Sequence, residues 1–294
     1  MFAIMGVTGK VGGAAARALR EVGLPVRAIV RDAAKGAPWA ALGCEIAVAD
    51  LDSPEALARA FAGADGVFAM LPPVFDPSPG FPEARAMVAT LRAALAKARP
   101  MRVVALSTIG ADATQPNLLN QLGLLEEALD SLPLPVTFLR PAWFMENAAG
   151  DIASAREEGV ICSYLQPLDR PVPMIAAGDV GRCVADLLCE AAAPRIVELE
   201  ARERVTPQAL AAAFAEALGR PVRAETVPRE VWEALFRDQG MRNPGPRMQM
   251  IDGFNQGWID YPDRGAGARK GTIGLDEAIA ALVAAMVEPS SRSG

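Results

Sequence analysis

The chain reads as an α/β protein: a doubly wound parallel sheet covered by helices on both faces, with a small intertwined C-terminal lobe. Three observations predict this. Short apolar runs alternate with amphipathic helical stretches as far as Arg140. A glycine-rich loop joins the first apolar run to the first helix. After Pro141 the alternation stops, and aromatic residues gather towards the C-terminus.

Taken in order, Phe2–Met5 is a short apolar strand, and GVTGKVGG then opens a helix that runs to about Val22. Leu24–Val30 is a second strand and Glu45–Ala49 a third. Ser53-Pro54-Glu55 begins a helix, with a capping hydroxyl and a proline in its first turn. Gly66–Leu71 is the fourth strand, stopped by Pro72 and Pro73. A helix from about Phe81 to Ala98 precedes the fifth strand, Arg102–Leu106, and another around Leu118–Leu129 precedes the sixth, Val136–Arg140. Right-handed crossovers are expected throughout. Residues 150–175 are proline-rich and read as irregular, and 179–192 reads as a helix capped by Asp179. From about residue 203, short helices carry Trp232, Phe236, Phe254, Trp258 and Tyr261, aromatics expected mainly to fill a small lobe roofing the sheet's C-terminal edge.

Composition narrows the chemistry. The 294 residues include no histidine, which excludes Ser-His-Asp and Cys-His nucleophile pairs, imidazole acid–base chemistry and His-ligated metals. Only Lys10, Lys35, Lys97 and Lys270 are lysines, and only Tyr164 and Tyr261 are tyrosines. The net charge of −6 and the absence of a basic run argue against nucleic acid as a partner. Cys44, Cys162, Cys183 and Cys189 have no metal-ligand spacing, so no metal site is expected, and they read as buried free thiols in a reducing compartment. The longest apolar stretch, Ala278–Val287, spans 10 residues, too few to cross a bilayer. The N-terminus lacks a basic region before its apolar start, so no signal peptide is expected and the protein is placed in the cytoplasm.

The strongest motif is Gly6-Val7-Thr8-Gly9-Lys10-Val11-Gly12-Gly13, set between a strand and a helix. Glycines there permit a tight turn and bring backbone N–H groups close to a pyrophosphate, whose charge the helix N-terminus favours. The spacing is G-x-x-G-x-x-G rather than G-x-G-x-x-G. With its strand and helix it points to a Rossmann-like, dinucleotide-binding fold, with Gly6, Thr8, Gly9, Lys10 and Val11 against the cofactor. The second strand ends in Arg31, where an NAD site would place an acid for the ribose. A guanidinium suits a 2′-phosphate and Lys35 adds charge, so NADP(H) is the expected cofactor, although the neighbouring Asp32 leaves NADH conceivable. Asp50 and Leu51 would lie near the adenine, and Leu71, Pro72 and Ser107 along the rest of the path. The domains that follow are a dinucleotide-binding part at 1–150, with 176–200 packing back on it, a small substrate lobe from 151–175 and 201–288, and a disordered tail at 289–294.

The glycine loop with Thr8, Val30-Arg31-Asp32, Ser107-Thr108-Ile109-Gly110 and Leu139-Arg140-Pro141-Ala142-Trp143-Phe144-Met145-Glu146-Asn147 together resemble the NmrA-like family of atypical short-chain dehydrogenases/reductases. Pro173-Met174-Ile175 with Asp179-Val180-Gly181, and Asp252-Gly253-Phe254-Asn255-Gln256-Gly257-Trp258, fit the same pattern, so the resemblance spans nearly the whole chain. It implies an NADP(H)-binding domain with a small substrate lobe. The family includes quinone reductases, phenylpropanoid reductases and redox-sensing regulators that bind NADP without evident turnover.

Short-chain dehydrogenases usually carry Tyr-x-x-x-Lys on the helix after the fifth strand, the Tyr as acid/base. Here that helix, Asn117 to Glu127, has neither, and the lone Lys that many relatives place there is also missing. Glu126 fits the family's glutamate, whose simplest role is a structural ion pair or a helix surface. Without the pair, reduction of an unactivated ketone and coenzyme-retaining isomerisation are disfavoured. A quinone or enone needs less help, since hydride transfer leaves a delocalised anion that Thr108, Asn147 or backbone N–H groups could stabilise. The expected function is NADPH-dependent hydride transfer to a small, electron-poor, apolar or aromatic acceptor. The pocket would be formed by Leu71–Val74, Ser107-Thr108, Trp143 to Asn147 and the late helices. The alternative is a non-catalytic NADP(H)-sensing module with a protein partner.

Overall fold

A computed structural model describes residues 1–287; the tail expected at 289–294 lies outside the described residues. The chain begins with β1 (Phe2–Ile4), the glycine loop and α1 (Lys10–Glu21). It continues through β2 (Val26–Val30), α2 (Ala37–Ala41), β3 (Glu45–Val48), α3 (Pro54–Phe61), β4 (Gly66–Ala69), α4 (Pro82–Ala98), β5 (Arg102–Leu106), α5 (Asn120–Asp130) and β6 (Val136–Pro141). Next come β7 (Trp143–Phe144), α6 (Ile152–Glu157), β8 (Val160–Ser163), β9 (Met174–Ile175), α7 (Ala177–Cys189) and β10 (Ile196–Glu200). The last elements are α8 (Pro207–Leu218), β11 (Arg223–Thr226), α9 (Trp232–Asp238), α10 (Gly245–Gln256), β12 (Arg269–Lys270) and α11 (Leu275–Val287).

The central sheet has eight strands in the order β12-β10-β6-β5-β4-β1-β2-β3, every neighbour pair parallel. Parallel strands buried on both faces need continuous apolar sequence, and β1, β4 and β6 are buried at every residue. Successive side chains still point to opposite layers. Phe68 and Val104 join the core with α1 and α7, whereas Val67 and Val103 join the core with α3, α4 and α5. A third cluster, built on Ile152, Ile161, Phe214 and Ile279, holds α6, β8, α8 and α11 together. No helix among the described residues is long and apolar enough to cross a membrane.

Several expectations need correction. The segment 150–175 is not irregular: a 3-10 turn (Met145–Asp151), α6, β8 and β9 occupy it, paired with β11 and β7. Those strands are too short to show a period through the intervening prolines. Within the expected lobe at 201–288, β12 forms the outer strand of the main sheet beside β10. A two-residue strand leaves no pattern in sequence. Of the cysteines, Cys44 and Cys183 are buried as expected, but Cys162 and Cys189 are exposed, at β8 and at the end of α7.

The helix expected at 179–192 runs from Ala177 to Cys189, so Asp179 lies inside the first turn and is not its cap. Its buried carboxylate accepts from the Thr272 N–H (3.0 Å), the Ile273 N–H (2.9 Å), the Thr272 hydroxyl (3.0 Å) and Arg182 Nη2 (2.6 Å). It therefore fastens the approach to α11 onto α7. Burial works to raise the Asp179 pKa, but the hydrogen bonds from Ile273, Thr272 and Arg182 outweigh it and hold the group below its ordinary value.

A group whose folded pKa is depressed stabilises above its unfolded pKa and loses that contribution as pH falls through the folded value. Asp179→Ala is expected to cost about 2–3 kcal/mol in urea denaturation at neutral pH. The gap to wild type should narrow once pH drops below about 4, the unfolded carboxylate value.

Candidate functional site

Because every sheet strand runs the same way, all C-terminal strand ends lie on one edge. The strand order reverses between β1 and β4, where α/β sheets open the crevice that binds ligands. Along this edge stand Asp50-Leu51 after β3, Arg31 to Lys35 after β2, the glycine loop after β1, Leu71-Pro72 after β4 and Ser107-Thr108 after β5. From β2 to β5 the edge covers three strand spacings, about 14 Å. Residues far apart in sequence thus form one continuous line.

The centre of the line is the glycine loop. Gly6 adopts φ +64°, a left-handed conformation that other residues rarely take, and its carbonyl accepts from the Gly9 N–H at 2.9 Å. A Cβ on Gly12 would strike the carbonyl oxygens of Met5 and Gly6, so glycine lets α1 begin hard against the end of β1. No side chain caps α1, so its first-turn N–H groups are not taken from within by a capping oxygen. Thr8, Gly9 and Lys10 are exposed, while the Val11 side chain is buried, leaving only its backbone to offer.

Beyond β2, Arg31 is exposed and joins no ion pair among the described residues. The Asp32 carboxylate does not meet it; it accepts from the Ala34 N–H at 2.9 Å and caps a 3-10 turn, Ala33–Gly36, that carries exposed Lys35. Asp50 accepts from the Leu51 N–H at 2.8 Å, and the Leu51 side chain packs on the core beneath. Leu71 is buried and Pro72 exposed. An open helix N-terminus with two free cations one strand away fits the phosphates of a dinucleotide, including one on the adenosine ribose.

The other end of the line is more committed. The Ser107 hydroxyl donates to Glu126, whose carboxylate also takes Arg140 Nε (2.8 Å) and Nη2 (2.6 Å), and Arg140 reaches Asp112 (2.7 Å). Glu126 thus holds a buried ion pair, and Ser107 keeps only an accepting oxygen for a ligand. Thr108 is half-buried, and Asn147 is exposed on the 3-10 turn after β7, neither bound through its side chain among the described residues. Glu146 is occupied, accepting from the Ala177 N–H at 2.9 Å and so capping α7 from outside. Trp143 meets Phe254 edge-on at 5.1 Å. Tyr261 is buried, its hydroxyl donating to the Arg140 carbonyl at 2.6 Å with the Leu199 carbonyl at 3.1 Å. Burial pushes its pKa above the ordinary tyrosine value, and its hydroxyl proton is directed at a backbone carbonyl.

Sequence reading missed the contacts that set the roof. Gln121 donates to the Val74 carbonyl (3.1 Å), and Asp76 accepts from the Arg242 (2.9 Å) and Asn243 (2.7 Å) N–H groups. Asn243 also reaches the Pro77 carbonyl (2.8 Å), and the Leu118 N–H the Pro246 carbonyl (2.9 Å). Asp76-Pro77 and Asn243-Pro244 are the signals that could have flagged these turns. A cavity of about 280 Å³ lies to the side, lined by Gly110, Asp112, Arg140, Glu198, Gly257 and Trp258 among others, and it shares none of the cofactor candidates. It opens beside the Glu126–Arg140 pair, with Arg140 in its wall.

Known proteins are similar to this chain in sequence and fold. An NAD(P)H azoreductase from Xenophilus azovorans is 32% identical over 248 residues, 82% of either chain. A (4-alkanoyl-5-oxo-2,5-dihydrofuran-3-yl)methyl phosphate reductase from Streptomyces griseus subsp. griseus is 27% identical over 226 residues, 76% of either chain. Among solved structures, the NADPH complex of an NADPH-dependent quinone oxidoreductase from Escherichia coli superposes with a TM-score of 0.79 at 23% identity, covering 96% of this chain and 99% of its own. The profile of the NmrA-like family matches residues 1–255. With that match and the azoreductase's identity, the chain belongs to the NmrA-like family.

Proposed function

We propose that this protein is an NADPH-dependent oxidoreductase that passes hydride to a small, electron-poor, largely apolar acceptor such as a quinone or enone. The observation that carries the reading is Arg31, exposed and without an ion pair among the described residues, one strand from the uncapped start of α1. When bound, NADPH supplies a hydride (two electrons and one proton), and a quinone takes its second proton from water. The α1 N-terminus would hold the pyrophosphate, Arg31 and Lys35 the 2′-phosphate, Asp50 and Leu51 the adenine side, and Leu71, Pro72 and Ser107 the path to the nicotinamide. The relatives' names, NAD(P)H azoreductase, (4-alkanoyl-5-oxo-2,5-dihydrofuran-3-yl)methyl phosphate reductase and NADPH-dependent quinone oxidoreductase, support turnover over silent cofactor sensing.

At the reacting end the chain offers little proton chemistry. Helix α5 carries no Tyr-Lys pair and Tyr261 is locked to backbone carbonyls. Thr108, Asn147 and backbone N–H groups are what remain to steady a developing anion, which suits acceptors whose negative charge is delocalised. Four unpaired thiols and the absence of a membrane-crossing helix among the described residues support a cytoplasmic setting.

The test is NADPH oxidation against a panel of quinones and enones, followed at 340 nm. Consumption with at least one member, faster than with NADH, is the expected outcome. Cofactor binding with silence across the panel would instead favour the sensing role. Arg31→Ala is expected to weaken NADPH binding about ten- to hundredfold while leaving NADH nearly unchanged, as read by fluorescence titration. Tyr261→Phe should lower stability by about 1–2 kcal/mol through its lost hydrogen bonds, yet keep turnover close to wild type. A collapse of turnover in a folded Tyr261→Phe protein would restore Tyr261 as a proton donor.

A further inference from the structure

Helix α10 forms the roof over the ends of β4, β5 and β6. Its start is tied to the loop after β4 through Asp76 and Pro77 and to the turn before α5 through Pro246, and its later Phe254 meets Trp143 after β6. Arg247, Met250, Ile251 and Phe254 recur at helical spacing, so they share one face of α10. On that face the apolar residues are buried, and Arg247 is half-buried.

The surroundings of Arg247 are unusual for a guanidinium. Half-buried Arg27, Arg204, Arg229 and Arg269 each meet a carboxylate, and half-buried Arg20 and Arg102 are held by backbone carbonyls. Arg247 meets no carboxylate among the described residues: it lies 4.6 Å over the Phe236 ring, with Met241 Sδ at 3.7 Å. Arg170 is similarly short of a carboxylate, but it lies by Gly257, at the far end of α10. Burial pulls the Arg247 pKa below the usual arginine value. Phe236 stacks in turn on Tyr164 at 5.0 Å. Across the Asp76 contact, Phe75 is 60% exposed on a loop whose neighbouring residues are pinned by Gln121, Arg242 and Asn243. A half-buried cation with no carboxylate partner, on the same roof as exposed Phe75, suits a planar ligand with a negative group.

We propose that Arg247 binds an anionic substituent of the acceptor, so that the preferred substrates are planar conjugated molecules bearing a carboxylate, sulfonate or phosphate. This deepens the oxidoreductase reading and rests on it. Arg247 is then a specificity residue: it fixes one end of the acceptor and takes no part in hydride transfer. A charged hydrogen bond made in a partly desolvated site discriminates strongly between a ligand that carries the anion and one that lacks it.

Two probes separate the claims. Binding of naphthalene-2-sulfonate and of neutral 2-methylnaphthalene is measured by calorimetry in the presence of NADP⁺. Turnover is measured with 1,4-naphthoquinone and with 1,4-naphthoquinone-2-sulfonate. Wild type is expected to favour the sulfonate in both assays. Arg247→Met should weaken sulfonate binding and raise its KM by about tenfold or more, leaving kcat and the neutral quinone's KM little changed, and Arg247→Lys should restore most of the preference. Equal effects on the charged and neutral compounds, or none on either, would overturn the proposal. Should Arg247→Met fail to fold, the wild-type comparison decides, since no preference for the sulfonate overturns it equally. If wild type binds the sulfonate selectively but oxidises NADPH with neither quinone, the oxidoreductase reading fails while Arg247 stands as an anion-binding residue.

Discussion

Everything at the sheet edge depends on how closely α1 approaches β1. Gly12 has no Cβ because the Met5 and Gly6 carbonyl oxygens occupy that space, and Gly6 turns the chain in a left-handed conformation to make the approach possible. The helix therefore starts at the rim of the sheet, with its partial positive charge aimed at the crevice between β1 and β4. Helix α7 then packs on α1 and carries Asp179, whose carboxylate holds the approach to α11. One backbone contact sets where α1 begins, and α7 packs on the helix it places.

The two ends of the edge have opposite character. Near β2 the cations Arg31 and Lys35 are exposed and join no ion pair among the described residues. Near β5 and β6 the polar groups are spent on the protein itself: Ser107 on Glu126, Glu126 on Arg140, Glu146 on the α7 N-terminus and Tyr261 on two carbonyls. A site of this kind binds and orients its reactants, and leaves the chemistry to the cofactor. The absence of histidine and the scarcity of lysine and tyrosine are consistent with that division of labour.

The first six strands were legible in sequence because parallel strands buried on both faces are apolar runs, as in Gly66–Ala69 and Val136–Pro141. The glycine loop was legible because a tight strand-to-helix turn draws on consecutive residues, and Arg31 because it directly follows a strand end. β10 was hidden by its acids: Glu200 is buried only because Arg204 and Lys270 pair with it. Asp179 was misread as a cap because its true partners, Thr272 and Ile273, lie more than ninety residues away. The roof contacts of Asp76 with Arg242 and Asn243 were invisible for the same reason, and that of Gln121 with Val74 also depends on a neighbour that only the fold supplies.

The most direct measurement is single-turnover stopped flow of the protein–NADPH complex mixed with 1,4-naphthoquinone, monitored at 340 nm. A saturable loss of absorbance, slower when the transferred position of NADPH carries deuterium, is the expected result. A complex that forms but keeps its absorbance in the presence of acceptor would contradict hydride transfer at this edge.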